Sequence, residues 1–159
     1  MSLIKKISNI FKEKPLEEEY YELPTIIEKY LKDMNKYISL FMLNKSNISE
    51  PNIKQFVWYL ENLSKEYNRF VEDYHRYNND KDYKNHPIIE KMLAYKKKLQ
   101  KKFIALFNRF YKVACKSDIR MSAILEKIYE CLDLKDELWN KNDKESAKGY
   151  IAINQNRQV

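Results

Sequence analysis

The chain has 159 residues and a formal charge of +7, and its single glycine, Gly149, lies close to the C-terminus. That length suffices to bury roughly 70% of the unfolded surface in one core. The near absence of glycine removes Gly-rich phosphate loops and the positive-φ turns of β-hairpins, so mononucleotide cradles and β architecture are disfavoured and an all-α class is expected.

The first fourteen residues place Leu3, Ile4, Ile7, Ile10 and Phe11 at helical spacing, with Lys5, Lys6 and Lys12 off that face. This pattern predicts a short amphipathic helix over 1–14, suited either to an interfacial site on a membrane or to packing on the domain or a partner. The acidic spacer Glu17 to Glu19 and Glu22 leads to Pro24, which opens a helix carrying Ile27, Tyr30, Leu31, Met34, Tyr37, Ile38, Phe41 and Met42. After the polar stretch Asn44 to Ser49, Ser49 and Pro51 begin a helix of about seven turns, with Ile53, Phe56, Leu60, Leu63, Tyr67, Phe70 and Tyr74 in its stripe.

The stretch Asn78 to His86 breaks the period, and Pro87 opens a third long helix bearing Ile88, Met92, Leu99, Phe103, Phe107 and Phe110. Ser117 and Asp118 are cap candidates for a fourth, with Met121, Ile124, Leu125, Ile128 and Leu132. The same apolar face continues across Ser117, so the last two helices are also readable as one. A single helix from Pro87 to Leu132 would be about 69 Å long, more than a compact domain buries, and a turn near Ser117 is the favoured reading. The expected architecture is a single antiparallel bundle of about four helices over 23–139, followed from residue 140 by a flexible tail.

No run of about 18 apolar residues occurs, and lysines interrupt the N-terminal apolar positions, unlike a signal peptide. Cys115 and Cys131 form neither a CxxC nor a disulfide framework and are expected as reduced thiols. A cytoplasmic protein is expected.

Catalytic and metal chemistry finds little to stand on. The only histidines are His75 and His86. Glu72 and His75 make one ExxH pair, half of a helical di-iron site, but residue 83, three before His86, is tyrosine. HExxH, GxSxG and EF-hand patterns are missing from the sequence. The Glu17 to Glu19 run reads as hydrated carboxylates rather than a cation site. Tyr30, Tyr37, Tyr67 and Tyr74 lie on apolar stripes and read as core rather than as base-stacking platforms; Tyr20, Tyr21, Tyr77, Tyr83 and Tyr150 have no assignment. No enzyme activity, catalytic residue, metal or cofactor is expected.

The informative feature is charge. Between Glu90 and Asp118 there is no acidic residue, and the stretch holds Lys91, Lys96, Lys97, Lys98, Lys101, Lys102, Arg109, Lys112 and Lys116. On a helical wheel Lys91, Lys98, Lys101, Lys102, Arg109, Lys112 and Lys116 gather opposite the apolar arc, and only Lys96 falls inside it. A solvated helix face ordinarily interleaves signs, because like charges at i, i+4 repel by a few tenths of a kcal/mol. Two explanations compete. Acidic residues of another helix, for instance Glu126, Glu130, Asp133 and Asp136, neutralise the stripe within the fold; or it meets an acidic macromolecule.

Lysine outnumbers arginine five to one, which favours contacts to phosphates over readout of bases. The sequence therefore points to a small non-enzymatic interaction protein, with a nucleic-acid backbone as first choice of partner and an acidic protein next. A peripheral membrane protein using Leu3, Ile7 and Phe11, and a self-associating bundle, are the alternatives.

Overall fold

The computed structural model describes residues 21–117 and 119–132. The expected N-terminal helix with Leu3, Ile4, Ile7, Ile10 and Phe11, the cap candidate Asp118, and the expected tail lie outside the described residues. Four helices form an all-α bundle: α1 (Ile26–Leu43), α2 (Glu50–Asn78), α3 (Pro87–Ala114) and α4 (Ile119–Cys131).

Proline starts three of them. Pro51 and Pro87 occupy the first turns of α2 and α3, where a missing N–H costs nothing, and Pro24 precedes α1. The caps differ from expectation. Ser49 stands before α2 in extended conformation without a side-chain cap bond, whereas His86 accepts a hydrogen bond from the Ile88 N–H at 3.1 Å through Nδ1 and so caps α3. Ser117 turns its hydroxyl back to donate to Val113 O at 2.8 Å, closing α3 rather than opening α4. The helix does break there, as the length argument required.

The turns are tied by polar side chains. Asn44 accepts from the Ser46 N–H, Asn47 donates to Leu40 O at 2.8 Å, and Asp80 accepts from the Asp82 N–H at 2.9 Å. Asn85 has φ of 66°, a left-handed conformation that asparagine tolerates better than most residues.

Aromatic contacts fix the register. Phe56 of α2 stacks on Phe110 of α3 with ring centroids 5.1 Å apart, Tyr67 meets Phe103 edge-on at 4.9 Å, and Phe70 meets Tyr95 at 5.5 Å. One number rises as the other falls, so α2 and α3 are antiparallel. Phe41 against Phe56 and Tyr37 against Tyr59 give the same relation for α1 and α2. Lys127 pairs with Glu61 at 2.6 Å, and Ser64 donates to Cys131 O at 3.0 Å, so α4 runs parallel to α2 and antiparallel to α3. The order is up, down, up, down. The C-termini of α1 and α3 and the N-termini of α2 and α4 therefore share one end of the bundle.

Each stripe supplies the core: Ile27, Met34 and Ile38 from α1, Phe56, Leu60, Leu63 and Tyr67 from α2, Met92, Leu99, Phe103 and Phe107 from α3, and Met121, Leu125 and Ile128 from α4 are closed off from solvent. Tyr67 and Tyr74 are core residues, as their positions predicted, whereas Tyr30 and Tyr37 are only half-buried beside Trp58 and Tyr59. Met42, placed on the α1 stripe by periodicity, is exposed. It lies in the last turn of α1 and borders a surface cleft beside Tyr111 and Val113 of α3.

Lys96 is fully enclosed, with its ammonium 5.8 Å from the centroid of the Tyr74 ring, which matches its place in the apolar arc. Phe110 joins α2 and α3 at the shared end, and truncation there leaves a cavity. We expect Phe110→Ala to lose about 3–5 kcal/mol in urea unfolding and the exposed change Leu43→Ser to stay within about 0.5 kcal/mol of wild type.

Candidate acidic-partner interface on the third helix

The basic residues of α3 divide into two sets. On the side toward α1, Lys98 and Lys102 both reach Glu28 Oε1, at 3.2 and 2.6 Å. The Tyr95 hydroxyl, poised between Pro24 O at 3.2 Å and Glu28 Oε2 at 3.3 Å, adds a third contact to the same carboxylate. One helical rung further, the Arg109 guanidinium donates to the backbone and side-chain oxygens of Asn35 and to Ser39 Oγ at 3.0 Å. The Asn35 amide is oriented for this, because its Nδ2 is spent on Leu31 O at 3.0 Å.

These contacts form two ladders of matching period. Glu28, Asn35 and Ser39 are spaced by seven and four residues along α1, and Lys98, Lys102 and Arg109 by four and seven along α3. Residues at those spacings share a helix face, so two parallel helices in constant register bring the rungs together. The competing explanation from sequence, neutralisation within the fold, thus holds for part of the stripe, but the acidic residue responsible is Glu28. Glu126 and Glu130 make no ion pair with α3 among the described residues, and Asp133 and Asp136 lie outside them. Glu28 could have been found from its position beside Ile27 and Leu31, at the edge of the α1 stripe.

The second set has no partner on α1 among the described residues. Lys91, Lys101, Lys112 and Lys116 are exposed and make no ion pair among the described residues, and Lys97 is exposed beside them. Of the seven residues proposed from sequence, Lys98, Lys102 and Arg109 hold the fold and the other four are presented to solvent.

Local electrostatics follow this division. The Lys102 and Lys98 ammonium groups hold the Glu28 carboxyl below its ordinary 4.5 against the opposing effect of burial. Burial, then the negative charge of Glu28, push the Tyr95 phenol above its ordinary range. Burial likewise raises the Cys131 thiol, the opposite of an activated nucleophile. Cys115 and Cys131 are both free and half-buried.

Glu72 and His75 are exposed on α2, and His86 is committed to its cap. Among the described residues no three His, Cys, Asp or Glu side chains are grouped as metal ligands, and no helix is long and apolar enough to cross a membrane. No protein-family model matches the chain, and no curated protein or solved structure matches it.

Because Glu28 is easier to ionise in the folded chain than in the unfolded one, its contribution to stability is complete above pH 4.5 and disappears as pH falls through its folded value. Glu28→Gln should therefore be less stable than wild type at pH 7 by no more than about 1 kcal/mol. The two denaturation curves should converge below pH 4.5. A difference that persists in strong acid would assign the effect to packing.

Proposed function

We propose that the chain is a non-enzymatic interaction domain that binds an acidic macromolecule through the exposed lysines of α3, with a nucleic-acid backbone as first choice. The observation that carries this reading is the exposed set Lys91, Lys101, Lys112 and Lys116, which the fold leaves without ion pairs among the described residues while neighbouring Lys98, Lys102 and Arg109 are consumed in holding α1.

Physical scale supports it. From Lys91 to Lys112 the helix rises about 32 Å, close to the roughly 34–36 Å of one turn of duplex. Phosphates of a single backbone can then meet lysines at both ends of the row. Mobile ammonium groups on one helix neutralise phosphates without reading base edges, so the binding is weakly selective for sequence and strongly dependent on salt. The glutamate-linked lysines contribute indirectly, by keeping α3 fixed beneath the row.

The test is titration of a fluorescent random duplex and a single strand with wild type and with Lys91→Glu/Lys101→Glu/Lys112→Glu at low and moderate salt. Wild type should bind at low salt and weaken steeply as salt rises. The triple variant, with melting unchanged, should lose at least about a hundredfold in affinity and flatten the salt dependence by about three phosphate contacts. Lys98→Ala should cost far less. A wild type that ignores both nucleic acids at low salt, or a triple variant that binds equally well, would remove the reading.

A further inference from the structure

The end of the bundle where α1 and α3 stop gathers apolar side chains that the core does not use. Leu43 is 80% exposed, Ile119 65% and Met42 55%, which makes this end the site of three of the five exposed large hydrophobics among the described residues. Met42 and Leu43 border a cleft of about 480 Å³ whose walls include Phe41, Ile48, Tyr111 and Val113, and Ile119 begins the next helix two residues beyond the cleft residue Ser117.

The cleft is also cationic. Lys45, Lys112 and Lys116 line it, no acidic side chain lines it among the described residues, and the nearby Glu50 is paired with Lys54 at 3.2 Å. Apolar side chains that project from the end of a domain with lysines close behind them match the layering of a bilayer interface. Carbon reaches the acyl boundary while ammonium groups stay among phosphates and carboxylates. Clustered apolar exposure of this kind marks an interaction surface rather than a solvated one. The most exposed groups, Leu43 and Ile119, belong to the ends of two different helices and point the whole tip, not only the cleft floor, at the partner.

We propose that this end of the bundle docks on an anionic lipid bilayer, with Met42, Leu43 and Ile119 entering the interface and Lys45, Lys112 and Lys116 meeting the headgroups. The site is distinct from the side of α3 and from the N-terminal segment considered from sequence. Lysines 112 and 116 sit where the two surfaces meet.

The full chain is pelleted with vesicles of phosphatidylserine and phosphatidylcholine, and with phosphatidylcholine alone. Wild type should bind the anionic vesicles at low salt and ignore the neutral ones. Met42→Ser/Leu43→Ser, at positions outside the core, should melt as wild type and partition about tenfold less, and Lys45→Ala should partition about fivefold less. Cys115 lines the cleft and reports on it directly: its alkylation should slow on anionic vesicles while that of Cys131, on the far part of α4, does not change.

The serine double variant should bind nucleic acid as wild type does, which separates this proposal from the one for α3. No pelleting of wild type with anionic vesicles, equal pelleting of the serine variant, or a Cys115 that reacts as fast on vesicles as in solution would each overturn it. An acidic amphipathic peptide that shields Cys115 where vesicles do not would overturn it too, and assign the cleft to a protein.

Discussion

A single carboxylate sorts the positive charge of this protein into structure and surface. Glu28 receives Lys98, Lys102 and the Tyr95 hydroxyl on its two oxygens, at the rotation of α3 against α1 that the buried stripes set. Once that rotation is set, Arg109 must fall opposite Asn35 and Ser39, because the spacing repeats along parallel helices. The same rotation turns Lys101 and Lys112 away from α1, while Lys91 and Lys116 continue the ladder's face past the two ends of α1. Individually such half-exposed pairs contribute little to stability. The buried contacts set the orientation that the pairs mark, and every functional statement about α3 inherits it.

Much of the fold was legible because helical periodicity is a local property. The stripes through Ile27 to Phe41, Phe56 to Tyr74 and Ile88 to Phe110 could be read residue by residue, and Pro24, Pro51 and Pro87 marked the starts. Lys96 was visible as the one lysine inside an apolar arc, and it is buried. What periodicity could not supply is the pairing of faces about seventy residues apart. The seven basic positions of α3 looked equivalent on a wheel, and only their neighbours on α1 distinguish them. Tyr77 and Tyr83 escaped assignment for a similar reason, since they pack on one another, centroids 4.8 Å apart, at the α2 to α3 turn, where no stripe continues. Met42 misled because a stripe carries no record of where the surface opens into a cleft.

The two surfaces that follow from this arrangement differ in kind. Along the side of α3 the chain offers ammonium groups on a rigid rod, a pattern that counts charges. At the tip, carbon and charge are offered together, a pattern that responds to amphiphilic material. Both depend on α3 being held at one height and one angle, so the buried contacts of Phe56 with Phe110 and Tyr67 with Phe103 govern them equally.

The way the turns are made has a further consequence. Asn44, Asn47 and Asp80 close backbone turns with side-chain oxygens or amides, and Asn85 takes the left-handed position that glycine would otherwise occupy. At Asn44, Asn47 and Asp80 the Cβ narrows the conformations open to the denatured chain without strain in the native turn, whereas at Asn85 the positive φ offsets that gain. Replacing glycine by a residue with a side chain at a compatible site is worth about 0.4–1 kcal/mol through the unfolded ensemble alone. The bundle thus draws part of its stability from the poverty of its unfolded state, a contribution that no inventory of native contacts would contain.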